Sequence, residues 1–501
     1  MNKEDKWIVR EDIILRDESK YINSNIYIVK DNIYGRPFYV TREGFEILKY
    51  LAFPRKIDEI KEFYKNFLKS SFLNKEESEK ISKFINKFIE NNIIVKTNEG
   101  KAHKKILSNL SLPLVKDVNY IPMSFPMEVM ILLTERCNLS CRHCIISSSP
   151  TKSRKDELST EELKRILLEL DKGGLLNLIL SGGEPLIRND IWEILLFASR
   201  LRFSLSLLTN GILLSLPQIE VLSEIAKRKG RGFWVNISLD GSTPESHARL
   251  RGKERIFNRT LQNLKLLVKN NIQCSTETIL HQKNKDEIES IIKICFELGV
   301  KIVTLHPASL SRKRVKEKDL YMTLDEIMEI GYKIEKLKEK YSNYGKINFD
   351  LYHYFFTQPS VRMKKEQEEQ KDNSIKRIKL PQNCCSAGMY SMVISAKGKV
   401  YPCDEVYGLQ MFEMGDVRKS ILIEIWHNEK WNIFRGGWKR EDVKVCNKCM
   451  YNESCSIIKC RCYPYSIFRD FYAPLPACVY NYKTIGLNEE DITQYKTCLN
   501  F

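Results

Sequence analysis

Cys137-Asn138-Leu139-Ser140-Cys141-Arg142-His143-Cys144 places three thiols at the spacing C-x3-C-x2-C, just after a strand-like run at Glu128–Leu133. A loop of this size wraps one cubane cluster and ligates three of its irons, leaving the fourth open as a catalytic zinc keeps one free position. A zinc site or three buried thiols would use the same residues, so the surrounding chain has to decide. Further strand candidates follow at Leu176–Leu180, Ser204–Leu208, Phe233–Leu239, Gln273–Leu280 and Lys301–Leu305. Amphipathic segments such as Thr160–Asp171, Ile191–Leu201, Phe257–Asn270 and Lys285–Leu298 separate them. Strands alternating with helices imply an α/β fold, a parallel sheet with helices outside. Six units are too few for a closed eight-stranded barrel, so residues 126–345 are expected to form a partial (β/α)6 barrel.

With the cysteine triplet and these strand ends together, the chain resembles the radical S-adenosylmethionine (SAM) enzymes. Ser181-Gly182-Gly183-Glu184-Pro185 follows the second strand, where the family places a segment that contacts the SAM amino group. Paired glycines let backbone carbonyls approach an ammonium, and Glu184 adds negative charge nearby. Thr209-Asn210-Gly211 ends the third strand and Ser238-Leu239-Asp240-Gly241 the fourth. The resemblance puts Asn210, Ser238 and Asp240 beside SAM, the last two by its ribose. By its position after His247, Arg251 resembles the family's arginine facing the SAM carboxylate, a role that suits a guanidinium. Each of these segments also reads as an ordinary polar turn at a strand end.

The final stretch, residues 384–501, is cysteine-rich and weakly periodic, as a metal-stapled domain with a small core would be. It resembles the SPASM extension of peptide-modifying radical SAM enzymes. Twelve residues separate Cys385 from Gly398 and four more precede Cys403; then come Cys446, Cys449, Cys455, Cys460 and Cys478. The resemblance implies one auxiliary 4Fe–4S cluster on Cys385, Cys403 and Cys460, and a second on Cys446, Cys449, Cys455 and Cys478. With the SAM-cleaving cluster on Cys137, Cys141 and Cys144, that makes three. The family spacing after Cys455 is C-x3-C, whereas Cys460 follows at C-x4-C and Cys462 competes for its role. Cys460 is preferred because it keeps the register to Cys478. The fourth ligand of the first auxiliary cluster is open between Cys384, Cys462 and a substrate thiolate, and a double zinc ribbon would also use C-x2-C pairs. Cys274, Cys295 and Cys498 read as structural.

Residues 1–100 alternate short strands, Asn25–Val29 and Pro37–Val40, with three helical patterns and a closing strand at Ile93–Val95. This winged-helix-like order resembles the peptide-recognition element fused to maturases of ribosomally made peptides, in which a leader peptide adds a strand to the small sheet. A DNA-reading winged helix or a structural cap has the same order of elements. Residues 101–125 read as a linker and 346–383, with the charged run 364–380, as a linker or bridging region. The resemblance implies a precursor peptide as partner, bound through residues 1–100, and a flavodoxin- or ferredoxin-type electron donor. The reaction it suggests first is hydrogen abstraction followed by thioether cross-linking. Carbon–carbon cross-linking, epimerisation, sulfatase maturation and haem-pathway decarboxylation are the alternatives, with an iron–sulfur DNA-binding regulator from a different class.

Composition agrees with several packed domains: 501 residues, 43% hydrophobic and 29% charged. Lys and Arg exceed Asp and Glu by 81 to 64, a net +17, but the basic residues are spread along the chain apart from local runs such as 311–316. That pattern suits a solvated surface more than a nucleic-acid site. The start, Met1–Lys6, is polar, and no apolar run reaches about 18 residues. A cytoplasmic protein without a membrane partner is therefore expected, and its 15 clustered cysteines point to metal sites and not to disulfides.

Overall fold

Two small antiparallel sheets begin the chain. In the computed structural model, which describes residues 5–18, 27–30, 38–68, 75–91, 93–97, 123–308, 320, 322–349, 385–450, 460–480, 482–483 and 486–499, strands β1 (Lys6–Val9), β2 (Ile14–Asp17), β3 (Tyr27–Lys30), β4 (Phe38–Val40), β5 (Arg55–Lys56) and β6 (Ile94–Thr97) build them. One has the order β5-β1-β6 and the other β2-β3-β4. Helices Arg42–Tyr50, Ile57–Phe67 and Lys75–Glu90 fall where the apolar spacing puts them, and Phe45, Leu48, Ile60 and Ile85 meet the strands in one core. Thr41 caps the first helix by accepting the Gly44 N–H at 3.2 Å. The expected order of two strands, three helices and a closing strand is present, with β1, β2 and β5 added.

The main sheet follows. Strands β7 (Glu128–Leu132), β8 (Asn177–Ser181), β9 (Ser204–Thr209), β10 (Phe233–Ser238), β11 (Cys274–Leu280) and β12 (Ile302–Pro307) pair parallel in chain order. Along β10, Phe233, Val235 and Ile237 are buried under the helices while Trp234, Asn236 and Ser238 alternate to the other face. The same alternation turns Glu277 of β11 and Thr304 and His306 of β12 toward the concave side. A packed barrel would fill that side with branched apolar residues; here it stays open, with Asn236, Ser238, Glu277 and His306 set among apolar residues such as Met130, Leu208 and Ile279.

The sheet is larger than the six strands read from sequence. Strand β13 (Lys346–Phe349) extends it beyond β12, within the stretch expected to be a charged linker. On the other edge, β14 (Ser391–Ile394) pairs parallel with β7, and β15 (Lys399–Tyr401) and β16 (Gly415–Asp416) continue antiparallel. The cysteine-rich segment is thus joined to the barrel through a ten-stranded sheet. Phe125, in the stretch read as a linker before the barrel, is buried at 2% exposure. Residues 101–122, the charged run 364–380, Cys384 and Cys455 lie outside the described residues, as does the side chain of Cys498. Among the described residues no helix is long and apolar enough to cross a membrane.

The front unit sits on the N-terminal ends of the barrel strands. Arg16 of β2 donates to the carbonyls of Phe125, Pro126 and Gly174 and pairs with Glu18, which accepts the Ser124 N–H at 2.8 Å. Lys30 of β3 donates to the Leu176 carbonyl and to Asn177. Arg16, Glu18 and Lys30 are at most 1% exposed.

Candidate active site

The opposite end of the barrel carries the cysteine loop and the strand ends that follow it. The loop after β7 is fixed by its own backbone: Cys137 N–H donates to Ser149 O, Arg142 N–H to Leu250 O and Cys144 N–H to Cys141 O. The N–H groups of Leu139 and Ser148 donate to the sulfurs of Cys137 and Cys144 at 3.4 and 3.2 Å. Two glycines make room for this loop. A Cβ on Gly183 would lie 1.9 Å from the Arg136 carbonyl, and Gly182 has φ +141° with Thr134 O 2.7 Å from its hypothetical Cβ. The glycine pair therefore lets the second strand end pack on the cysteine loop, a use of Gly182 and Gly183 that the ligand-approach argument had not included.

Glu184 is fully buried behind that contact. Its carboxylate accepts from Thr209 Oγ1 at 2.6 Å, from the Asn210 N–H at 2.8 Å and from the Leu186 N–H at 3.0 Å. Burial raises its pKa against those bonds. It ties the second strand end to the third, and Pro185 opens the short turn that follows. Asn210 in turn donates from Nδ2 to Asn138 Oδ1 at 2.8 Å, so the third strand end holds the cysteine loop.

Asp240 is a second buried anchor. Its carboxylate accepts the Ile279 N–H at 2.8 Å and pairs with Arg251, while its own N–H donates to His247 Nδ1 at 3.1 Å. Burial would raise the carboxyl, but Arg251 and then His143 and His247 outweigh it and hold it at about 2. Arg251 Nη1 lies 3.8 Å from Cys141 Sγ.

These groups surround a cavity of about 470 Å³. Cys137, Cys141, Cys144, Gly182, Gly183, Asn210, Ser238 and Arg251 line it, whereas Glu184, Pro185 and Asp240 are not among the lining residues. Sequence reasoning missed Ser148, Asn236, Glu277, His306, Asp404 and Glu405, which line the same space. Glu277 Oε2 and His306 Nε2 are 2.6 Å apart. The polar residues at alternate positions of β10, β11 and β12 were the available signal. Asp404 and Glu405 had none, because only the sheet extension brings them to the barrel.

The C-terminal cysteines gather in two places. Cys460 and Cys462 each lie within electrostatic reach of Cys385 and Cys403. Cys449, Cys460 and Cys478 belong to one apolar cluster of the last segment, with Cys446 hydrogen-bonded through its carbonyl to the Cys449 N–H at 3.1 Å. Among the described residues no three His, Cys, Asp or Glu side chains close tightly enough for a single metal ion. Cys274 and Cys295 are buried in the barrel core, as expected.

Residues 131–295 match the Radical SAM superfamily and residues 384–450 the SPASM iron–sulfur cluster-binding domain. An AdoMet-dependent heme synthase of Methanosarcina barkeri is 30% identical over 355 residues, covering 70% of this chain and 95% of that protein. The chain belongs to the radical SAM superfamily. A PqqA peptide cyclase of Rhizobium meliloti is 24% identical, over 71% of this chain and 87% of that one. Among solved structures, SuiB of Streptococcus suis bound to S-adenosylmethionine matches with TM-score 0.63 at 18% identity, covering 91% of this chain and 96% of that one. The anSMEcpe structure with bound AdoMet matches with TM-score 0.54 at 18% identity, over 75% of this chain and all of that one. At these identities the likeness is one of fold. For SuiB it extends into the first hundred residues. As a radical SAM enzyme with a SPASM domain, the protein takes SAM and 4Fe–4S clusters. The donor set fits: Cys137, Cys141 and Cys144 line one cavity, three thiols of the kind that hold a 4Fe–4S cluster as thiolates.

Proposed function

We propose that this radical SAM enzyme modifies a ribosomally synthesised precursor peptide, most directly by joining a cysteine sulfur to a carbon through a thioether. The observation that carries the reading is the front unit: two small antiparallel sheets with three helices, within a fold like that of SuiB, which has been solved bound to its precursor peptide SuiA. Among the described residues strand β4 is an edge of the sheet β2-β3-β4, the kind of edge to which a leader peptide adds.

Cys137, Cys141 and Cys144 would hold the SAM-cleaving cluster, with Gly182, Gly183, Asn210, Ser238 and Arg251 around SAM. When bound, cluster and SAM supply a 5′-deoxyadenosyl radical that takes a hydrogen atom from an unactivated carbon. The chain's own part is positional. Asp240 fixes the Arg251 guanidinium, Glu184 sets the Asn210 turn, and the lumen with Glu277 and His306 receives the peptide side chain. Cys385, Cys403, Cys460, Cys446, Cys449, Cys455 and Cys478 would hold two auxiliary clusters, three clusters in all. A flavodoxin- or ferredoxin-type donor in the cytoplasm would supply the electrons.

A second reading, haem-pathway decarboxylation, is favoured by the 30% identity to the Methanosarcina barkeri protein. That relative covers 70% of this chain, so part of the chain has no counterpart in it. The two readings separate in an anaerobic assay with SAM and dithionite. A precursor peptide encoded beside this gene should raise 5′-deoxyadenosine release and be consumed. Stimulation by a carboxylated tetrapyrrole, with none by the peptide, would select the haem reading.

A further inference from the structure

Four thiols converge in the last segment, where the motif spacing assigns three and leaves a fourth ligand open. Cys403 precedes the short turn Asp404–Val406, and Cys462 opens the helix Cys462–Phe468 that packs against it. The Cys403 and Cys462 sulfurs are in hydrogen-bond contact, and Cys460 is an electrostatic neighbour of both Cys385 and Cys403. The residue between the two later cysteines turns elsewhere. Arg461 donates to the carbonyls of Phe471 and Ala473 at 3.3 and 2.9 Å, and its guanidinium lies 5.3 Å from the Trp438 ring centroid. With Arg461 held there, Cys460 and Cys462 both have Cys385 and Cys403 as electrostatic neighbours, and Cys462 is 3% exposed.

We propose that Cys460 and Cys462 are both ligands, Cys462 completing the cluster held by Cys385, Cys403 and Cys460. This goes beyond the spacing argument, which left the fourth ligand open between Cys384, Cys462 and a substrate thiolate, and it rests on the reading of that site as a 4Fe–4S cluster. Four protein thiolates close the coordination of a cubane. The cluster then has no iron position for a substrate thiolate. A peptide cysteine would react in the cavity, beside Asp404 and Glu405, without binding this iron.

The test uses full-length, anaerobically reconstituted protein in which Cys137, Cys141 and Cys144 are Ala, so that only auxiliary clusters report. The parent should carry about eight irons, resist ferricyanide without forming a three-iron cluster, and show an EPR spectrum unchanged by added 2-mercaptoethanol. Cys462→Ala should make about one iron labile, with a three-iron EPR signal after oxidation and a response to the added thiol. Cys462→Ser, which restores a donor atom, should regain the iron with an altered spectrum. Cys462→Ala matching its parent in iron, oxidation and thiol response would overturn the proposal. Cys403→Ala serves as the reference and should lose about four irons; full iron in that variant would overturn the cluster reading itself.

Discussion

Glu184 takes three hydrogen bonds while fully buried, two of them from the third strand end. Glu184→Gln would keep the shape but set an amide N–H2 against donors. The expected cost is about 1–3 kcal/mol, the usual penalty for a buried group left unsatisfied. Because the Asn210 turn would loosen, SAM affinity should fall more than overall folding; calorimetric SAM binding beside a denaturation curve checks this. His247 and His281 are at most 1% exposed, and burial depresses both to about 4 from an ordinary 6.5. Below pH 6.5 the unfolded chain binds protons that the folded chain refuses until about pH 4, so stability falls as pH drops through that window. Each histidine contributes a slope of at most about 1.4 kcal/mol per pH unit. Urea denaturation from pH 7 to 5 should show this decline, and His247→Asn should remove that histidine's share of it. An identical slope in the variant would show that His247 does not titrate as its burial implies.

At the scale of elements, the front sheet is held to the barrel by buried charge. Arg16 alone contacts three carbonyls and Glu18. Arg16→Met would leave the Glu18 carboxylate buried without its cation, a loss of about 3–5 kcal/mol. Adding Glu18→Met should recover much of it, because the stranded charge is then gone. Thermal unfolding of the two variants decides, and equal instability in both would remove charge desolvation as the cause. How legible these elements were in sequence depended on length and alternation. Strands β7 to β12 were readable because alternate apolar residues such as Leu205 and Leu207 or Val235 and Ile237 repeat over five to seven residues. Strands β1, β2 and β13 are four residues each and mix charge with apolar character, as in Lys346-Ile347-Asn348-Phe349. Only their pairing partners make them strands. The cysteine loop was legible from spacing, and Cys462 already stood among the candidate ligands, whereas Glu277 and His306 owe their places to folding that brings distant segments together.

The whole molecule sets the front unit and the cavity at opposite ends of the barrel strands. Arg16 and Lys30 hold the first floor-side carbonyls, while the cavity is lined by the loops that follow β7, β8 and β9. Strand β11, seven residues long, spans about 20 Å between those ends. On the peptide reading, a leader bound at the front unit must be joined to its target residue by at least about six extended residues. Precursor peptides shortened below that spacing should lose modification, while flexible lengthening should slow it only weakly. Undiminished modification at the shortest spacing would place the leader elsewhere. The reading as a whole rests on one mass measurement: the short peptide encoded beside this gene, co-expressed anaerobically with the enzyme and then alkylated. The account predicts a peptide lighter by two hydrogens with one cysteine that no longer alkylates, and no change when Cys137, Cys141 and Cys144 are Ala. A peptide of unaltered mass with every cysteine alkylated, from cells in which the enzyme carries its clusters, would contradict it.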